Sequence, residues 1–197
     1  MNHLAHLLLS GDQKDWMVGN FITDFLKPSE QRSLPPSVRE GIRLHLFIDR
    51  TVDEDPDYRE SIRMIRATQG KYAPVVADIY YDYLLHLHWD RYSDHSFPVF
   101  RQDAYRTLIR HLPENVNENL AGRVRQMIER DFLESYSSPE HMPGTFSMLK
   151  RRVHFENALD RAAGDFERLL PQLIRHFNLV FPRIQAASEQ YRLSLQS

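Results

Sequence analysis

The chain has 197 residues, 42% hydrophobic and 26% charged, with a formal net charge of −2 and no cysteine. That size suits a single domain over 1–197 with a substantial core, and the lack of thiols excludes disulfide frameworks and thiolate metal sites. A near-neutral charge argues against a nucleic-acid binder, and no apolar run approaches the roughly 20 residues that span a bilayer.

The opening "MNHLAHLLLSGD" has neither a basic leader region nor a small-residue cleavage site, so it reads as a helix over about 2–9, and the protein is expected to be cytoplasmic. Ser10 or Asp12 is expected to cap the next helix, which runs to about Lys27. "KPSEQRSLPP" reads as a loop whose Pro35 and Pro36 open a helix over about 36–51. Asp55 and Pro56 supply an N-cap and first turn for a helix to about Thr68. Gly70 ends that helix, and Pro74 opens the one that carries Asp78 to His88. Further helices are expected near 98–111, 117–135, 145–153 and 156–176, with a last one after Pro182; Pro171 is expected to kink or split the long one. Glycines are few, seven in all, and no stretch alternates apolar and polar residues as a half-buried strand would. The fold class is all-α, a bundle of about eight to nine helices.

Ionisable groups inside these apolar patterns carry the functional signal. Residues four apart share a helix face, with Cβ atoms about 5–6 Å apart. His45 and Asp49 form one such pair, with Asp53 a turn further; Asp78 and Asp82 form a second, with His86 beyond them and His88 on the adjoining stripe. Asp24 lies between Phe21 and Phe25. A buried carboxylate is costly unless paired, hydrogen-bonded or bound to a metal. Acids and histidines on separate helices, with His6, fit a divalent-metal cage, and oxygen-rich mixed donors suit Mn²⁺, Mg²⁺ or Fe²⁺. Each pair alone equally fits a solvated polar face.

The order of these groups resembles the acyl carrier protein phosphodiesterase family, regarded as unusual relatives of the HD phosphohydrolases. The likeness rests on "MNHLAHL", on "GNFITDF" at 19–25, and on "PPSVREGIRLHLFID" at 35–49 followed by Asp53 and Pro56. "YAPVVADIYYDYLLHLHW" at 72–89 completes it, and beyond residue 90 only "KRR" at 150–152 and "FPR" at 181–183 continue it. The resemblance implies an HD-phosphohydrolase-like helical fold and a Mn²⁺-dependent hydrolase of fatty acid and lipid metabolism that removes 4′-phosphopantetheine from holo-acyl carrier protein. It implies metal-site roles for Asp24, His45, Asp49, Asp78 and Asp82, with His6 as ligand or supporting partner. Water activated at the metal would attack phosphorus and the carrier serine oxygen would leave, with Asp49 or His88 handling the proton.

Three positions depart from the family pattern: His3 stands where an aromatic residue is usual, Pro28 where glycine is common, and Tyr83 where a histidine usually follows the aspartate. His86, three residues on from Tyr83, is a candidate substitute for that histidine. Tyr83 keeps open a hydrolase acting on a nucleotide or another small phosphoester, and a catalytically silent carrier-binding protein is a further alternative. The acidic carrier calls for basic docking residues, expected at Lys150, Arg151 and Arg152 or at Arg123, Arg125 and Arg130; ordinary solvated faces fit these groups as well. Trp16 and Trp89 read as packing residues.

Overall fold

The computed structural model describes residues 1–196, with the side chains of 1–195. Among them no strand occurs, and the chain is all-helical. A first helix, α1 (His3–Leu9), leads into α2 (Lys14–Ile22) and a 3-10 turn over Thr23–Phe25. Neither Ser10 nor Asp12 caps α2, which starts after Gln13 without a side-chain cap. Ser10 is turned inward instead, its hydroxyl donating to the His6 carbonyl at 2.8 Å. The stretch expected to be a loop holds a short helix, α3 (Pro28–Arg32), because the Glu30 carboxylate accepts the Lys27 backbone N–H at 2.8 Å and closes its first turn.

The long α4 (Pro36–Glu54) follows Pro35, and α5 (Pro56–Gln69) starts where Asp55 accepts the Asp57 and Tyr58 N–H groups at 2.9 and 3.1 Å. Gly70 ends α5 at φ +55°, a left-handed backbone that other residues adopt only with strain. α6 (Ala73–Leu87) and α7 (Phe97–Arg110) follow. α8 (Glu118–Glu129), capped by Asn117, stops short of residue 135 because the chain turns at Asp131, φ +50°. α9 (Met142–Arg152) starts three residues earlier than the pattern suggested.

The last helix, α10 (Ala162–Gln196), is one element of 35 residues, neither split at Pro171 nor begun at Pro182. Both prolines lie on its exposed side, where water can reach the carbonyls left without an N–H partner. Its buried stripe of Phe166, Leu169, Leu173, Phe177, Val180, Phe181 and Ile184 runs unbroken past both, packing α10 on α4, α5 and α6. One apolar core joins residues from α1 to α10. Trp16 and Trp89 are buried in it or at its edge, the Trp89 Nε1–H donating to the His95 carbonyl at 2.7 Å.

The tightest contact is the crossing of α2 and α4. A Cβ on Gly19 would stand 2.0 Å from the Val38 carbonyl oxygen, and one on Gly41 would stand 2.2 Å from that of Trp16. Neither obstacle is a side chain that can swing aside. Gly19→Ala and Gly41→Ala are each expected to cost about 2–3 kcal/mol, at the upper end of overpacking penalties. Denaturant unfolding reads this as a lower midpoint at unchanged slope.

Candidate metal centre

Because α2 and α4 touch backbone to backbone, Asn20 of α2 reaches two histidines at once. Its side-chain N–H groups donate to the His6 carbonyl and the Ser10 hydroxyl, both at 2.9 Å. That fixes which amide atom is the oxygen, and Asn20 Oδ1 accepts from His6 Nδ1 at 2.7 Å. The Asn20 backbone carbonyl accepts from His45 Nδ1 at 2.8 Å. Both imidazoles therefore carry their proton on Nδ1 and turn Nε2 the other way. The rings stack 4.2 Å apart, and both histidines are buried.

The two Nε2 atoms meet one carboxylate. Asp49 Oδ1 lies 3.1 Å from His6 Nε2, and Asp49 Oδ2 lies 3.1 Å from His45 Nε2. Asp24 Oδ1 approaches His45 Nε2 at 3.2 Å from the rim, where the Asp24 side chain is 59% exposed. His6 Nε2 is buried without a hydrogen bond. A lone pair pointed at a carboxylate oxygen calls for a cation between them, whether a proton or a metal. Two ligands bonded at about 2.1–2.2 Å to one ion at right angles stand about 3.0 Å apart, close to the separations found. The ligand atoms of His6, His45 and Asp49 lie within 4.8 Å of one another, so the donor set fits a divalent ion. Two imidazoles with carboxylates make a mixed nitrogen and oxygen donor set.

Without an ion, protons do the screening. Burial pushes His45 down, but its pairing with Asp24 and Asp49 outweighs this and raises it to about 9. Burial holds His6 below its ordinary value. Burial raises Asp49, yet the His45 and His6 contacts prevail and keep its carboxyl well below the usual range. The His45 hydrogen bond likewise lowers Asp24.

Other candidate residues lie elsewhere. Asp82 is wholly buried and accepts the backbone N–H groups of Leu4, Ala5 and Asn2 at 2.7, 3.2 and 3.3 Å, capping α1 rather than joining the donors. Burial pushes its carboxyl up to about 7, against the pull of the Leu4 and Ala5 amides. Asp78 accepts a short hydrogen bond from the Tyr58 hydroxyl and pairs with the Met1 amino group at 2.9 Å. His86 sets its ring edge-on to Phe97, and His88 stacks on Phe177 at 6.0 Å. Among the described residues neither shares a hydrogen bond or ring contact with His6, His45 or Asp49. Tyr83 is a core residue, edge-on to Phe166. His3 sits among Phe21, Phe25 and Phe132, so it fills the aromatic role expected at its position.

The basic candidates divide as well. Arg125 pairs with Glu118 at 3.1 Å and Lys150 with Asp160 at 3.0 Å, while Arg151 is exposed. Arg123, Arg130 and Arg152 line one cleft instead. Sequence reasoning passed over Asn20, which holds both histidines. Its signal was a polar residue inside the apolar run Trp16–Ile22, four positions before Asp24.

Residues 1–184 match a family model described as acyl carrier protein phosphodiesterase. Curated relatives named acyl carrier protein phosphodiesterase from Escherichia coli, among them strains K12 / DH10B, ATCC 8739 and SMS-3-5, are each 25% identical over 198 aligned residues. Each alignment covers 98% of this chain and 100% of the relative. No solved structure matches the chain.

Asn20→Ala keeps the backbone acceptor of His45 but frees His6 Nδ1, and is expected to weaken divalent-metal binding about 10–100-fold in calorimetric titration. In the metal-free protein the paired His45 imidazolium adds stability that is complete below 6.5 and is lost as pH rises through about 9. Its melting temperature is expected to fall across that interval, and His45→Gln to flatten the slope.

Proposed function

The chain belongs to the acyl carrier protein phosphodiesterase family, and from that membership we propose that it hydrolyses holo-acyl carrier protein to apo-carrier protein and 4′-phosphopantetheine. The observation that carries the reading is the convergence of His6 Nε2, His45 Nε2 and the Asp49 carboxylate on one point. We further propose Mn²⁺ as the ion, with Fe²⁺ as the alternative that the imidazoles tolerate, and His6, His45 and Asp49 as its ligands, with Asp24 beside them. A divalent ion bound there supplies positive charge for the phosphoryl oxygens and makes a bound water more acidic.

The residues themselves set the geometry. Asn20, itself held by the Ser10 hydroxyl, holds the imidazoles before substrate arrives, so no reorganisation is needed at the moment of reaction. Asp49 presents both oxygens to imidazoles, and His88 lies against Phe177, which leaves the second oxygen of Asp24 to move the proton. In the proposed sequence Asp24 takes a proton from the attacking water, the new bond forms at phosphorus, and the phosphorus–serine oxygen bond breaks. Asp24 then returns the proton to the departing serine oxygen. Asp82 and Asp78 support the site at one remove, by fixing the start of α1 and the residues beside it.

Tyr83 lies in the core and removes no donor from the cluster, which supports the carrier reading over a redirected small-phosphoester hydrolase. Among the described residues no helix is long and apolar enough to cross a membrane. With that, the proposed setting is the cytoplasm, in fatty acid and lipid metabolism, and the relation to the HD phosphohydrolases belongs to the same proposal.

Mass spectrometry of holo-acyl carrier protein incubated with the chain and Mn²⁺ tests the proposal. Release of the phosphopantetheine mass is expected, with a loss of about 10²–10³-fold in Asp49→Ala, as for removal of groups that stabilise transition-state charge. An unchanged carrier mass alongside turnover of a small phosphodiester would move the assignment to a small-substrate hydrolase. An unchanged mass with a stable carrier complex would make the chain a binding protein.

A further inference from the structure

We propose that the cleft lined by Arg123, Arg130 and Arg152 is the subsite for the 4′-phosphopantetheine arm itself, an inference that rests on the carrier-protein reading above. The cleft has a volume of about 240 Å³. His3, in its wall, lies one helical turn before His6 on α1, and Phe25, also in its wall, directly follows Asp24. The first helix and the turn over Thr23–Phe25 thus each carry one residue of the candidate centre and one of the cleft wall.

The charge pattern singles it out. Arg125, Arg101 and Lys150 lie on the same helices or close by, and each is neutralised by a carboxylate: Glu118, Asp131 with Glu134, and Asp160. Arg130 and Arg152 pair with no carboxylate among the described residues, and Arg123 spends its guanidinium on the face of Phe25, 4.4 Å from the ring centroid. Three cations without a carboxylate partner in one concavity favour an entering anion. Guanidinium forks match phosphate oxygens better than ammonium groups do.

Part of the lining is apolar. Met127, Phe132 and Met148 form it, and Met148 is 52% exposed although it is a large hydrophobic side chain. Thr145, Met148 and Arg152 also line an adjoining cleft of about 270 Å³, so the two form one trench along α9. An arm that begins at a phosphate and continues as a narrow chain with methyl groups and amides fits a trench of this kind. A broad acidic protein surface fits it poorly, because the space is small and Met127, Phe132 and Met148 make part of its lining apolar.

The test uses the full chain loaded with Mn²⁺, the double variant Arg130→Gln/Arg152→Gln, and two probes: free 4′-phosphopantetheine and apo-acyl carrier protein. Both arginines are exposed, and circular dichroism and melting temperature check that the variant folds. Binding of 4′-phosphopantetheine is expected to weaken about 10-fold or more, the scale for losing charge-assisted hydrogen bonds. KM for holo-carrier should rise in step while apo-carrier affinity stays the same. Unchanged 4′-phosphopantetheine binding overturns the proposal; if apo-carrier binding weakens in that case, the arginines dock the carrier's own surface. A wild-type chain that neither cleaves holo-carrier nor binds 4′-phosphopantetheine overturns the carrier-protein reading and this inference with it.

Discussion

The candidate centre depends on the contact between Gly19 and Gly41. Where two helices carry side chains at their crossing, their axes stay about 8–10 Å apart, and a side chain must bridge the gap. Here the backbones meet directly, so the carbonyl of Asn20 reaches His45 on the neighbouring helix without any side chain between them. The same residue turns its amide to His6 and to Ser10. One asparagine thereby sets the tautomer of two imidazoles on two other helices, and the precision of the cluster derives from backbone packing, which is stiff.

A second layer fixes α1, which carries His6. Seven residues are too few to hold a helix by propensity alone. Asp82 accepts three of the N–H groups at its start, from the middle of the buried α6. Further along, the Leu9 carbonyl accepts a short hydrogen bond from Arg192 of α10. Complete burial resists ionisation of Asp82 while the backbone amides favour it, so this anchor is a balance between two large opposing effects. The carboxylates facing solvent and the carboxylate facing the core thus do different work, one set open to an ion, the other holding the element that delivers an imidazole.

Helix starts marked by Pro36, Asp55 with Pro56, and Pro74 were legible because each mark acts locally, through a fixed φ or a side chain that reaches its own backbone. α3 escaped because its closing interaction runs from Glu30 to a lysine's N–H, a cap that the identity of residue 27 does not advertise. The continuity of α10 escaped for the converse reason: proline breaks a helix locally, but a long apolar stripe packed on three helices holds it across two such positions. The site shows the same division. The four-residue spacing of His45 and Asp49 placed them on one face, and that face meets His6. The identical spacing of Asp78 and Asp82 sent one to the Tyr58 hydroxyl and the other to α1. Periodicity tells which residues share a face; what the face meets is decided by tertiary packing.

Charge is subject to the same limit. Arg123, Arg125 and Arg130 are alike in sequence, yet only Arg125 finds a carboxylate. An exposed ion pair contributes little, about 0.2–1 kcal/mol, so the difference lies less in stability than in which cations stay available. Those left unpaired line one cleft with Met127, Phe132 and Met148, apart from the two imidazoles and two carboxylates that can hold a cation. A phosphodiester bearing a long neutral chain needs both halves of that arrangement: positive charge concentrated where phosphorus is attacked, and a separate place that holds the arm, which stays on phosphorus as the serine oxygen departs. Keeping the arginines out of the donor cluster allows the chain to supply both.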